Sequence, residues 1–445
     1  RGIALNPMIE YAIGKGPKSP VFIPRTLAAE AIQCPPIEWR STTAALAKTE
    51  DQFNLYRFPP QPGHPGIRMV WNENASQPGS WGHGWNWLEA LRNPQIEFVL
   101  GVHPWMENDI PFSDLILPAQ TNYEHTDLVV VQRSDILAMF YQDQGIEPVG
   151  ESLSDFEIHR QIGLRLGLES VFPPADDWLR KAYEGTLAWT KHGLSWEAFK
   201  EKKHVIYDCP TWDEWLAIKK EHGYGTHDGG MHWYAASAAG LDTPSGKIEF
   251  VSSMIAERDP GNKERPPLAR WTLHPESPGN AKSRDYPLTV MANHPRFRFH
   301  VQGDDIGWIR EIAKVRGADG YEYEPCWIHP DDANPRGIAD GDVVMVHNER
   351  GSVLAGAIVT ERIIPGALSI DHGAKMDLAL LNNRMVDRGG CINLIAPSPQ
   401  EKYGAGKEIT VPEMNVSGFL VEVQRVDPDD IVAGTGLGRS ATRPD

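Results

Sequence analysis

Arg296, Arg298 and His300 alternate with Phe297 and Phe299. In an extended strand alternate side chains share a face, so the spacing predicts two guanidinium forks and an imidazole on one side and two packed phenyl rings on the other. Forked cations grip anionic phosphate, and with an imidazole they can hydrogen-bond a planar heterocycle. An edge strand with a solvated basic face fits the same pattern. A second candidate is the run Asp387, Arg388, Gly389, Gly390, Cys391, Ile392, Asn393. Its two glycines permit close backbone approach, and Arg388 and Asn393 bring complementary donors and acceptors; a tight turn capped by Asn is the alternative. The third is the polar turn from Asn72 to Gly79, after the apolar strand at 67–71. Doubly wound sheets bind nucleotides at such turns because backbone amides and a helix N-terminus point there. No Gly-x-Gly-x-x-Gly is present, so a standard NAD fingerprint is absent and a plain connection remains open.

Other polar groups carry less chemistry. His222, His227 and His232 sit five apart, which does not stack ligands on one helix face. Asp114, Glu124, Glu151 and Asp155 read as loop and cap carboxylates, a setting that is usually solvated. Cys34, Cys209, Cys326 and Cys391 lie far apart, so no Cys-x-x-Cys pair exists to hold zinc or an iron-sulfur cluster. A net charge of −17 argues against nucleic acid as a partner, since that binding needs clustered Lys and Arg. No apolar run approaches the roughly 20 residues needed to cross a membrane.

These groups need a scaffold, and 445 residues suffice for about two to four packed units. Strands at 67–71, 97–102 and 115–117, with a helix between the first two, indicate a parallel sheet with crossovers. Ser154 and Glu157 form a capping box ahead of Ile158, Ile162 and Leu166, which recur along one helical face until Gly167. Residues 171–240 are tryptophan-rich and read as mostly helical, with a second box at Thr211 and Glu214 and a stop at Gly223. After Pro287 short strands dominate, at 288–291, 343–346, 353–355, 357–359 and 419–423, and the turn at 348–351 reads as a hairpin. Many short strands with turns between them favour a closed barrel.

In this order the segments resemble the second half of the dimethyl sulfoxide reductase family of molybdenum or tungsten bis-pyranopterin oxidoreductases. The likeness runs through the strand and turn Val70 to Asn74, the stretch Phe112 to Pro118 with Glu124 downstream, the Thr-x-Ser-Gly-Lys-x-Glu run from Thr243 to Glu249, and the barrel. Trp105 to Phe112, Glu147 to Ser152, His294 to Phe297 and Asp387 to Asn393 are most similar to its phenol-acting pyrogallol-phloroglucinol transhydroxylase branch.

The resemblance implies an α/β plus all-β chain: an irregular segment at 1–60 packing on a missing N-terminal half, part of a Rossmann-like domain at 61–170, a helical connecting region at 171–284, a six-stranded double-psi-like β-barrel that caps the cofactor at 285–427, and a tail at 428–445. It implies a bis-pyranopterin guanine dinucleotide holding Mo or W. Asn72, Asn74 and Glu107 would border one guanosine arm; Arg296, Arg298, His300, Gln302, Arg388 and Asn393 would serve phosphate and pterin. No metal ligand or catalytic residue is assigned here, because these are expected in the N-terminal half. The implied partners are that half, an iron-sulfur electron-transfer subunit and a small-molecule substrate. The expected activity is hydroxyl transfer, hydroxylation or dehydroxylation of a phenolic aromatic. Alternatives are the same scaffold acting on an inorganic oxyanion, a sulfur compound or formate, and a non-catalytic assembly subunit. A cytoplasmic location is expected, with the periplasm left open because the starting Arg1 says nothing about targeting.

Overall fold

A computed structural model describes residues 22–40, 54–73, 76–131, 137–168, 173–190, 193–207, 213, 243–258, 260–261, 266–271, 273, 276–397, 409–410 and 417–434. Asn74, Thr211, Glu214, Gly223 and the histidines at 222, 227 and 232 lie outside them. Among the described residues no helix is long and apolar enough to cross a membrane.

Residues 22–40 and 54–58 are more ordered than their proline content suggests. Helix α1 (Ala28–Gln33) precedes strand β1 (Ile37–Arg40), which pairs antiparallel with β2 (Leu55–Phe58) and parallel with Ile409–Thr410. Leu27, Ala31, Ile37, Trp39 and Phe58 bury a small core of their own. The reading of 1–60 as irregular chain therefore fails over this part: Trp39 and Phe58 supply enough apolar area to fix a hairpin-like pair.

Strands β3 (Met69–Asn72), β4 (Phe98–His103) and β5 (Leu115–Pro118) form the expected parallel sheet, with β4 central. Five of the six residues of β4 are buried, the continuous apolar pattern of a parallel strand covered on both faces. Helix α2 (Gly84–Leu91) makes the crossover. Helix α3 (Asp155–Arg165) starts as the capping box predicts, with Ser154 Oγ accepting from Glu157 N at 3.2 Å. The reciprocal half is absent because the Glu157 carboxylate pairs with Arg160 and Gln161. Ile158 is buried but Leu166, at the frayed C-terminal end, is 70% exposed.

The connecting region is not purely helical. Strands β6 (Asp127–Val131) and β7 (Leu137–Gln142), from the preceding 61–170 segment, form an antiparallel sheet with β8 (His204–Tyr207) of this region. Helices α4 (Ala175–Glu184) and α5 (Trp196–Lys202) lie with it, and Tyr183 stacks on Phe199 at 4.4 Å between centroids.

From residue 288 the chain closes a mixed six-stranded barrel. Its strands are β9 (Leu288–Met291), β10 (Pro325–Ile328), β11 (Val343–Asn348), β12 (Gly351–Val359), β13 (Ala367–Ile370) and β16 (Phe419–Arg425), in the order β10-β13-β9-β16-β11-β12 with β12 returning to β10. Closure removes exposed edges. Strands β14 (Leu378–Leu381), β15 (Arg384–Asp387) and β17 (Ile431–Ala433) extend the sheet from β12. The hairpin at 348–351 forms as read, and 353–355 and 357–359 are one strand running through Gly356.

One buried cluster joins Trp87, Leu88, Leu91 and Val99 of the parallel-sheet unit to Val290, Val346, Val353, Leu368 and Phe419 of the barrel. The two units share this core.

The stretch at 294–302 departs from the expected strand. It is a bent loop held by the single bridge Phe299 to Gln302, with His300 at φ 55°. Its burial is also inverted: Arg298 is 7% exposed and Phe299 is 68% exposed. Alternation misled because it assumed an extended backbone, whereas the loop turns to offer the arginine to buried carboxylates.

Candidate cofactor site

The carboxyl ends of β3, β4 and β5 open on a cavity of about 580 Å³ lined by Glu73, His103, Glu107, Thr121, Asp155 and Gln302, among others. Ligands of open parallel sheets bind at this end, where strand order leaves a crevice. Burial pushes Glu107 up to about 7, reinforced by Asp109 and opposed by His103. Burial would lower His103, but the hydrogen bond from its ring to Asp109, at 3.3 Å, and the nearby carboxylates raise it. Of the other carboxylates named above, Glu124 is held below its usual range by Thr121 Oγ1, Thr121 N and Val149 N, and Asp114 accepts from Val99 N at 2.7 Å. Both are structural staples; Asp155 lines the cavity.

The Glu107 shift has a pH consequence. The folded state holds this proton more tightly than the unfolded chain, so stability is highest below about pH 4.5 and falls as pH rises toward 7. Glu107→Gln should remove the decline. Its stability relative to the parent should rise by roughly 2 kcal/mol between about pH 5 and 8, measured by urea denaturation at both pH values; parallel pH curves would contradict it.

A second constellation lies on the barrel. Asp387 is fully buried and holds the loop that follows it: Oδ1 accepts from Asp377 N at 2.7 Å and Gly389 N at 3.1 Å, and Oδ2 from Cys391 N at 2.6 Å. A Cβ on Gly389 would lie 1.9 Å from Lys375 O, so the close approach read from the paired glycines is real. The loop delivers Asn393, 0% exposed, whose amide interacts with the His372 side chain but meets no partner at full hydrogen-bond geometry. Asn72, two residues along β3 from Val70, which packs on the shared core, is 1% exposed and its amide lacks partners, as do the buried hydroxyls of Ser76 and Ser80. The turn Gln77–Ser80 packs on Ile392–Leu394. Buried amides without full hydrogen bonds are rare and costly.

His294, His300 and His372 converge beside it, with candidate ligand nitrogens within 4.8 Å of one another. His300 Nδ1 is 2.7 Å from His372 Nε2. Burial and His294 lower His300; burial, then His294, His300 and Arg298, lower His372 to about 3. Two neutral imidazoles thus offer lone pairs and N–H donors to a heterocycle. His372 escaped sequence reasoning because it lies 72 residues from His300 with no local spacing; the only signal was a polar Asp-His-Gly triplet ending β13. Gly373 sits at φ +82°, and a Cβ there would lie 1.8 Å from His300 O. Gly373→Ala should therefore cost about 2 kcal/mol or more in urea denaturation; an unchanged midpoint would refute the close packing.

The other expected site residues divide. Arg296 is exposed beside this loop, and Gln302 faces the Glu107 cavity instead of the histidines. Arg298 is committed elsewhere: it donates to Glu324, Asp304, His372 O and Asp371 O. Its fork braces two loops, so the expectation that it meets phosphate is corrected. Arg388 spends its fork on Asp377 and lies 4.0 Å over the Tyr321 ring, so it is likewise committed.

Residues 288–411 match the molydopterin dinucleotide binding domain family. The barrel is a molydopterin dinucleotide binding domain. The chain is 30% identical over 437 residues to the pyrogallol hydroxytransferase large subunit of Pelobacter acidigallici, covering 92% of this chain and 48% of the relative. It is 31% identical to trimethylamine-N-oxide reductase 1 of Escherichia coli K12, over 73% of this chain and 35% of that protein. To the dimethyl sulfoxide/trimethylamine N-oxide reductase of Cereibacter sphaeroides it is 31% identical over 64% and 33%. The chain thus spans less than half the length of each of these relatives. Acetylene hydratase from Pelobacter acetylenicus shares the fold, with a TM-score of 0.54 at 17% identity over 81% of this chain and 44% of that one. In the molydopterin dinucleotide binding domain Asn393 and the two lowered histidines are buried or half-buried groups that carry both donors and acceptors.

Proposed function

We propose that this chain is the cofactor-holding C-terminal part of the catalytic subunit of a molybdopterin oxidoreductase that transfers, adds or removes hydroxyl on a phenolic aromatic. The observation that carries the cofactor reading is the pair of buried amides, Asn72 and Asn393, whose polar atoms meet no partner at full hydrogen-bond geometry. Asn72, Asn74, Glu107 and Gln302 would hold a guanosine arm, and Arg296, His300 and Asn393 the pterin and its phosphates. When bound, the group supplies the redox chemistry at its molybdenum or tungsten, and the protein supplies orientation and electrostatics. Lowered His300 and His372 stay neutral at pH 7, so they can donate one N–H and accept at the other nitrogen. The shared core under α2 keeps water from between the two units.

The metal ligand, the residues nearest substrate and any iron-sulfur clusters would belong to an N-terminal half or an electron-transfer partner. The phenolic substrate is favoured by the alignment with the pyrogallol hydroxytransferase large subunit, which extends over more of this chain than the N-oxide reductases do. Metal analysis and oxidised-pterin fluorescence on the purified protein test the first part. Molybdenum or tungsten with about two pterins per complex would support it, and their absence from a folded complex would refute it. Turnover of polyhydroxybenzenes tests the second; turnover of trimethylamine N-oxide or dimethyl sulfoxide alone would replace it.

A further inference from the structure

Asn108 stands on the short turn after β4, in the parallel-sheet unit, yet its side chain is buried against the barrel at 3% exposure. Its Nδ2 donates to Ala374 O at 3.1 Å and lies 3.7 Å from Cys391 Sγ, while Oδ1 accepts from Met376 N at 2.7 Å. A Cβ on Gly79 would come within 2.5 Å of that same Nδ2, within 2.2 Å of Val301 Cγ1 and within 3.2 Å of Cys391 Sγ. One amide therefore meets the loop after β13, the loop after β15 and the turn after β3, and packs beside the loop that carries His300. The contrast with its neighbours is informative. Asn72 and Asn393 are buried without a full hydrogen bond, whereas Asn108 is buried and satisfied at both ends. A side chain whose donor and acceptor are both used by polypeptide binds nothing further; it fixes the separation of the groups it joins, because either loop can shift only by leaving a buried polar atom unpaired.

We propose that Asn108 is a positioning residue that registers the barrel loops carrying His372 and Asn393 against the parallel-sheet unit, so that the pterin-facing and guanosine-facing groups stand at one fixed spacing before any ligand arrives. The proposal rests on the cofactor reading above and adds the element that preorganises the site. It also assigns a purpose to the polar contact in an otherwise apolar seam: the surrounding core supplies adhesion, which is indifferent to register, and the amide supplies the register.

The test uses N108A and N108D in the protein as isolated, with hydrogen exchange by mass spectrometry and pterin retained after gel filtration. N108A loses both bonds. N108D keeps the acceptor for Met376 N–H but, when ionised, sets a second acceptor against Ala374 O. The expected result is exchange about tenfold faster across residues 372–377 and 388–393, with β11 and β12 peptides unchanged, and loss of most bound pterin. In N108D the defect should depend on pH. Near pH 5 the introduced carboxyl, raised by burial, is protonated and regains a donor, so pterin retention relative to the parent recovers; near pH 8 it falls again. A residue that mattered only for folding would recover in the same way but would raise exchange throughout the chain, β11 and β12 included, and lower the urea midpoint in parallel. If N108A fails to fold, N108D decides alone. Parental exchange in those loops, or retention that is insensitive to pH in N108D, would overturn the proposal. Absence of pterin from the parent protein would instead overturn the cofactor reading, and the exchange data would still decide whether Asn108 braces the loops.

Discussion

Arg298→Met is expected to destabilise the protein by about 3–5 kcal/mol, the range for breaking a buried ion pair by removing one partner. The Arg298 guanidinium is fully buried, and Asp304 and Glu324 beside it are only 2% exposed. Removing it takes the closest cation from two buried carboxylates, leaving Asp304 with Arg310 and Lys375 N, and frees His372 O and Asp371 O, which it also ties. Lys314 still reaches Glu324, so the loss should stay toward the lower end. Arg296→Met, two residues away and exposed, should change stability by no more than about 0.5 kcal/mol. Urea denaturation followed by tryptophan fluorescence measures both. Equal effects would mean that the two arginines share one environment, as simple strand alternation implied, and would reject the bent loop.

Asn393→Leu is expected to move stability and cofactor content in opposite directions. The Asn393 amide is fully buried and, beyond a side-chain interaction with His372, meets no partner at full hydrogen-bond geometry, a penalty of about 1–3 kcal/mol that a similarly sized apolar side chain removes. The ligand-free variant should be as stable as the parent or more stable. Bound pterin should fall to a small fraction of the parental amount, because nothing else on that loop offers the paired donor and acceptor a pterin edge needs. A structural asparagine would give the reverse, with lower stability and unchanged pterin. Reading thermal midpoint and oxidised-pterin fluorescence on one preparation separates these outcomes.

Much of the fold was legible locally. The strands at 67–71 and 97–102 and the hairpin at 348–351 follow from short-range pattern and turn chemistry, and they appear where expected. Asn72 and Asn393 were singled out because a turn after a parallel strand and a Gly-Gly loop are places where backbone and polar side chains can approach a ligand. The strand reading failed at 294–302 because it took alternation as proof of extension. A buried Arg298 surrounded by Asp304, Glu324 and the carbonyls of 371–372 recovers more energy than an extended strand with a solvated basic face, and those partners are up to 74 residues distant.

By itself the sequence determined the order of the elements, the barrel class and the segments that could face a cofactor, because periodicity, turn residues and local polarity act over a few residues. Only the tertiary structure decided which polar groups are spent and which are left over. Arg298 and Arg388 are consumed by carboxylates and Asn108 by the barrel loops, while the amides of Asn72 and Asn393 meet no partner at full hydrogen-bond geometry. That division depends on burial and on partners brought from distant parts of the chain, and the cost of an unpaired polar group arises only once packing has removed the water.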